Sequence, residues 1–244
     1  MRKLGKAYGF HAIISCKPRF GEQIYIMKAP VKMTTLLLLC TLLYACKKQN
    51  EKPAAVPHVA NYTQLKQGNY WIYRHVWKDT SGNEIPAYGI TYDSFYVEMD
   101  TVVGQKTYAK MWQRDQVGNP LLVLLRDSQG CLLDQTGGLL FAPQSANAVL
   151  QIYARVLYYP APDTIAMVTM QMEGLSVPVS VPAGSFIAGE VRQTYVFQGN
   201  VSSYAPRVYH TYYADSVGMI SRSEIGYLST PQYSELTLVR YHIQ

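Results

Sequence analysis

The sequence predicts an all-β protein: a curved antiparallel meander sheet, open or half-barrel, with at most one short helix. Three observations carry this expectation. Apolar and polar residues alternate with period two through many short stretches. Clusters of Gly, Asn, Asp and Ser punctuate those stretches at hairpin spacing. The composition also suits strands, with 21 Tyr beside 6 Phe and 3 Trp in 244 residues, and charged residues at only 16%, against roughly 25% in an average soluble domain. An aromatic content of 12% excludes a disordered chain, and the composition is unlike the Ala/Glu/Lys/Leu-rich one of a helical bundle.

The elements follow in order. From Asn69 to Lys78, Trp71, Tyr73, His75 and Trp77 fall on one face and Tyr70, Ile72, Arg74 and Val76 on the other. Asp79–Asn83 is a turn cluster. Ser94–Val103 is a second strand, Gly104-Gln105 a tight hairpin turn, and Lys106–Gln113 the returning strand. Asp115–Asn119 turns the chain into Leu121–Arg126, and Asp127–Gly130 turns it into Cys131–Leu133. Residues 145–158 fit both periods. Strand is expected from Gln151 onward, where β-branched and aromatic residues dominate, and 145–151 is left between helix and strand. Hairpins then resume: Thr164–Met172 with Ser176–Val181, a turn at Pro182–Ser185, Glu190–Gln198 and Arg207–Tyr213 around a Gly199–Pro206 loop, and finally Met219–Ile225 and Glu235–Ile243. There is no exact internal repeat, although the halves 62–142 and 150–244 share a meander-like pattern.

Ahead of this body lies a different kind of sequence. In Met27–Cys46, two cations (Lys28, Lys32) precede an apolar run from Thr34 to Tyr44, which a small residue (Ala45) and then Cys46 terminate. The run is shorter than the ~20 apolar residues of a spanning helix and has the layout of a secretory signal. Residues 27–45 are therefore read as a signal peptide, 46–61 as a polar tether containing Pro53 and Pro57, and 62–244 as a single all-β domain. Residues 1–26 are read as a spurious upstream extension, with Met27 as the initiator. The charge divides at the same place. Of 22 Lys+Arg and 16 Asp+Glu, residues 1–45 hold seven and one, which leaves 15 of each in the other 199 residues. A body with zero net charge and no basic stripe gives no electrostatic basis for a nucleic-acid partner.

Leu43-Tyr44-Ala45-Cys46 resembles the lipobox of bacterial lipoproteins. The resemblance implies that Cys46 takes a diacylglyceryl group and becomes the mature N-terminus, so that the protein meets the membrane through that lipid and engages the lipoprotein processing and sorting machinery. Lys47, where inner-membrane retention would call for Asp, implies an outer-membrane destination, on the periplasmic face. Processing would remove Cys16 and Cys40 and acylate Cys46, so Cys131 is expected to be unbridged and buried as a small apolar residue. Within the body, Gly68-Asn69-Tyr70-Trp71-Ile72-Tyr73, Val102–Tyr108 (VVGQKTY), Val181–Phe186 (VPAGSF) and Tyr212–Ile220 (YYADSVGMI) occur in that order. Together they resemble a broad group of Bacteroidota lipoproteins and periplasmic proteins. That resemblance implies an open, curved antiparallel sheet and no catalytic residues. Asp215-Ser216 departs from the group's usual Gly at that turn.

Catalytic and metal motifs are absent from the sequence: no HExxH, CxxC, GxSxG or phosphate-cradling Gly loop. His58, His75, His210 and His242 are scattered along the chain, and neither a metal nor a cofactor is expected. His210 with Asp215 and a serine is the remote triad option, and Glu98 and Asp100 are read as a solvated strand edge. The aromatic surplus is read first as sheet core and cross-strand pairs. The sharper reading is a concave face for an apolar or sugar-like ligand, with Trp71, Tyr73, Trp77, Tyr209 and Tyr212 as its candidate aromatics. Three Asp-Ser/Thr-apolar triplets nominate Thr101, Thr164 and Ser216 as O-glycosylation sites. The expected function is a lipid-anchored envelope protein with a structural or binding role and no enzymatic activity. The alternatives are a half-barrel carrier of a lipid or other small apolar ligand and, second, an envelope hydrolase. No protein partner is named by the sequence.

Overall fold

The computed structural model describes residues 60–114, 119–157, 163–226 and 230–244. The signal peptide, Cys46 and nearly all of the tether lie outside the described residues. The described chain forms thirteen strands: β1 (Tyr70–Lys78), β2 (Ile90–Val103), β3 (Lys106–Arg114), β4 (Pro120–Ser128), β5 (Cys131–Asp134), β6 (Leu139–Phe141), β7 (Val149–Leu157), β8 (Asp163–Met172), β9 (Val177–Val181), β10 (Gly184–Phe197), β11 (Arg207–Ala214), β12 (Gly218–Ile225) and β13 (Tyr233–His242). Two single 3-10 turns, Pro86–Tyr88 and Gly199–Val201, are the only helical pieces among the described residues.

All strands join one antiparallel sheet in the order β6-β5-β4-β3-β2-β1-β13-β12-β11-β10-β8-β7, with β9 as a flap on the first half of β10. The sheet curls until its two edges approach: Gln151 of β7 donates from Nε2 to the carbonyl of Leu139 in β6 at 2.8 Å. The result is a nearly closed barrel-like sheet, which protects edges that would otherwise present unpaired backbone groups. It curls further than the half-barrel expected from the sequence.

Local sequence explains the tight turns. Gly104-Gln105 (φ 54° and 65°) and Gln129-Gly130 (φ 58° and 78°) both place two consecutive residues in the left-handed region, as a two-residue type I′ hairpin requires. Residues 145–148 form turn structure and the strand begins at Val149, because the ladder with β8 satisfies the backbone from there on. β2 starts at Ile90, before the expected Ser94, where it pairs with Val76 of β1. β10 is 14 residues long because its first part pairs with β9 and its second with β8 and β11.

Several of these segments act as clasps. Asn69 is fully buried, donates to Gln64 O at 2.9 Å and accepts from the backbone N of Gln244 at 2.9 Å, so it ties the two ends of the domain together. Chain entry is fixed beside it: Asn61 N donates to the Asp215 carboxylate at 2.7 Å, and Ser216 N donates back to Asn61 O at 2.8 Å. At the β9–β10 hairpin, Ala183 N reaches Leu238 O at 2.9 Å. Cys131 is buried, with its sulfur 3.3 Å from Gln144 Oε1. It is disulfide-bonded in the structure, which corrects the expectation of an unbridged cysteine. That expectation assumed a processed chain, whereas the structure is of the whole chain. The other cysteines lie outside the described residues.

Candidate functional site

Period-two alternation points Trp71, Tyr73 and His75 of β1 into the barrel, and register aligns them with inward residues of both neighbours. Trp71 faces Phe95, and Tyr73 faces Asp93 on β2 and Leu238 on β13. The two rings are pinned to the start of β12. Trp71 donates from Nε1 to Val217 O at 2.7 Å, and Tyr73 OH donates to Met219 O at 2.8 Å. Between those carbonyls Gly218 adopts φ +92° with the Trp71 ring packed against it, a conformation that costs glycine nothing and other residues about 1–2 kcal/mol. The GNYWIY and YYADSVGMI segments are thus two halves of one wall.

That wall lines a half-open cavity of about 220 Å³. Tyr62, Phe95 and Tyr213 add rings, and Val123, Leu125 and Leu132 add aliphatic surface. Tyr73 and Phe95 approach to 4.8 Å between centroids, Phe141 and Tyr213 to 4.6 Å, and Tyr62 and Phe141 to 5.0 Å. Burial raises the Tyr73 phenol well above its ordinary range, and burial pushes Tyr213 up to about 12, with Arg222 pulling back on both. Both rings stay neutral. Among the described residues the lining contains one charged side chain, Arg222, whose guanidinium carbon lies 5.7 Å from the Phe95 centroid, within cation–π range.

A second, polar compartment of about 300 Å³ shares Phe95, Gln113 and Arg222 with the first. It contains two close pairs of ionisable side chains. His75 Nδ1 lies 3.0 Å from Asp93 Oδ2, with each side chain only 7% exposed, and Arg222 Nε lies 2.6 Å from Glu224 Oε1. His75 Nε2 is buried and makes no hydrogen bond among the described residues. The lumen therefore changes from apolar to polar at Arg222.

The candidate aromatics divide. Trp71 and Tyr73 line the apolar cavity. Trp77 packs on Tyr88 at 5.4 Å, and Tyr209 meets Tyr195 edge-on at 5.4 Å in a separate core cluster. Tyr212 alternates to the outer face with His210, where its OH donates to Glu190 Oε1 at 3.2 Å. Burial, then Glu190, pushes the Tyr212 phenol up to about 12. Tyr62, Phe95 and Arg222 are not singled out by the sequence. For Phe95 the signal is present, since it alternates inward two residues from Asp93 and Val97.

The histidines pair with carboxylates the sequence did not couple to them. His75 finds Asp93, and His210 Nδ1 lies 2.6 Å from Glu190 Oε1. Neither pair completes a triad. Ser223, across from His210, accepts from the His210 backbone N at 2.8 Å and donates to its carbonyl at 3.3 Å, so its hydroxyl serves the main chain. Asp215 holds Asn61 instead of His210. His242 stacks on Tyr70 at 5.7 Å. Among the described residues no three His, Cys, Asp or Glu side chains gather as a metal site would need. Of the glycosylation candidates, Thr101 and Thr164 are half-buried in β2 and β8, while Ser216 is exposed on the β11–β12 turn at φ +60°.

No family model matches the chain. No curated protein matches it. Among solved structures it is similar to a candidate lipoprotein from Parabacteroides distasonis ATCC 8503, with 12% identity over 76% of this chain and 100% of that one, at a TM-score of 0.45. It is also similar to a candidate exported protein with a YmcC-like fold from Bacteroides fragilis NCTC 9343, with 12% identity over 75% of this chain and 100% of that one, at a TM-score of 0.43.

Proposed function

We propose that this is a lipid-anchored cell-envelope protein, non-enzymatic, whose barrel-like body binds a small apolar ligand in the cavity behind Trp71 and Tyr73. The supporting observation is the cavity itself. Its volume of about 220 Å³ exceeds that of an engineered apolar cavity of about 150 Å³ that stays dry and takes up benzene. Its rings are fixed by hydrogen bonds to β12, so the space is preformed and need not be opened on binding. The direct test is fluorescence titration of the purified chain with the neutral apolar dye N-phenyl-1-naphthylamine. Saturable, one-to-one enhancement that Val123→Trp abolishes is the expected result, and the absence of saturable binding overturns the reading.

The anchor rests on the Met27–Cys46 segment, with the outer membrane as destination and the lipoprotein processing machinery as the first partner. Cys46→Ser should move the protein from the membrane fraction to the soluble fraction of the envelope. Unchanged membrane partition would sink the anchor. A sulfur acylated as a thioether cannot also be disulfide-bonded. The intact mass of membrane-extracted protein, with and without reductant, distinguishes acylated from bridged forms.

A further inference from the structure

We propose that the ligand of the apolar cavity carries a carboxylate, held by Arg222. This rests on the reading of the cavity as an apolar-ligand site and adds the chemistry of the ligand's polar end. Among the described residues Arg222 is the one charged group on an otherwise neutral lining, and it stands where the apolar cavity meets the polar compartment. Its Nε is buried and makes no well-aligned hydrogen bond, although Glu224 Oε1 lies 2.6 Å away. Glu224 is half exposed, at 50%, so its pairing with Arg222 is largely solvated and weak. A ligand carboxylate arriving from the apolar side would meet the same guanidinium in a drier setting, where charge-assisted bonds are stronger.

Within the polar compartment Asp93 sits beside His75 and Glu224 beside Arg222, and Arg114 adds a further cation at its rim. Gln113 is shared by both compartments, and its Nε2 points to the Met111 sulfur at 3.9 Å, a weak acceptor that an oxygen would replace favourably. The buried, unbonded Nε2 of His75 is a second independent polar group on the same compartment. A single guanidinium forks onto one planar carboxylate. The ligand class is a small amphiphile, apolar at one end and carboxylate at the other.

The test is calorimetric titration of the full chain with decanoate, decanol and decyl phosphate. Decanoate should bind roughly tenfold or more tightly than decanol, the usual size of one charge-assisted hydrogen bond. Arg222→Met should bring that ratio close to one. Glu224→Gln, which keeps the cation and removes its solvated partner, should tighten decanoate several-fold and leave decanol unchanged; it carries the test if Arg222→Met fails to fold by circular dichroism. Equal affinities for decanoate and decanol, a ratio unmoved by Arg222→Met, or decyl phosphate binding tenfold tighter than decanoate would each overturn the carboxylate assignment while leaving the apolar site standing. If none of the three ligands nor the neutral dye binds, the apolar-ligand reading itself fails.

Discussion

The wall built from β1–β5, β12 and Tyr213 of β11 arranges its large rings around open space, whereas β8, β10 and Tyr209 of β11 pack theirs against one another. In the second region Ala166 and Val168, both fully buried, lie beneath the edge-on pair Tyr195–Tyr209, with Phe197 completing the cluster. A gap of similar size, about 220 Å³, also lies beside that cluster, but its lining includes the exposed Arg155 and the half-exposed Val156 and Ile225. Volume therefore does not separate the two regions. What separates them is a mainly apolar, ring-lined boundary with two rings fixed by hydrogen bonds on one side and a mixed polar and apolar boundary on the other. A binding site for an apolar group needs the first kind, because only there does the ligand displace water that has poor partners.

The largest expected effect comes from breaking the ring wall. Trp71→Ala removes a side chain that is 3% exposed together with its bond to Val217 O at 2.7 Å. Loss of a buried aromatic costs about 3–5 kcal/mol, so urea unfolding should shift by that amount and dye binding should vanish. A cost below about 1 kcal/mol would mean that the wall is as loosely held as the gap beside Tyr195.

Alkaline pH should act next. Tyr213 has a folded-state pKa of about 12, raised chiefly by burial, against about 10 when unfolded. A group raised in this way favours the fold fully below pH 10, and that contribution is lost as pH climbs from 10 through 12. At 1.36 kcal/mol per pKa unit the loss is on the order of 2–3 kcal/mol. Tyr73 and Tyr195, both raised by burial, add to it in the same direction from either wall. Stability measured by denaturant should be flat from neutral pH to 10 and fall above it, with a Tyr213→Phe variant falling less steeply. A decline that begins below pH 9 would contradict the burial of these phenols.

Much of this architecture is legible in particular residues. Alternation through Trp71, Tyr73 and His75 gives the inward face, and paired turn residues such as Gly104-Gln105 give the hairpins. Closure of the sheet is not legible in the same way, because it depends on Gln151 reaching Leu139 across an edge that no local pattern specifies. The site is only half legible for a related reason. Tyr213 belongs to the inward row and Tyr212 to the outward one, yet a bulge between them shifts the register against β12. Arg222 reads as an ordinary exposed strand cation until cross-strand register places it beside Thr211 and Leu236, both buried. Long-range pairing decides its role, and a single sequence carries that information only weakly.

The smallest effect is also the most discriminating, because it applies one chemical change to both regions. Val123 lines the ring-walled cavity and is half-buried, whereas Val168 is fully buried between Tyr153 on β7 and Tyr195 on β10. Each becomes Ile by gaining one methylene. At Val123 the added group has space to enter and apolar atoms to meet, so Val123→Ile should be neutral or stabilising by up to about 0.8 kcal/mol, the value of one buried methylene. It should also weaken dye binding, since it consumes volume the ligand needs. At Val168 the same group has no space, and overpacking costs typically about 1–3 kcal/mol. Thermal unfolding of the two variants should therefore move in opposite directions, or at least differ by about 1 kcal/mol. If both destabilise equally, the space behind Trp71 is no more accommodating than a packed core, and the difference between the two walls loses its physical basis.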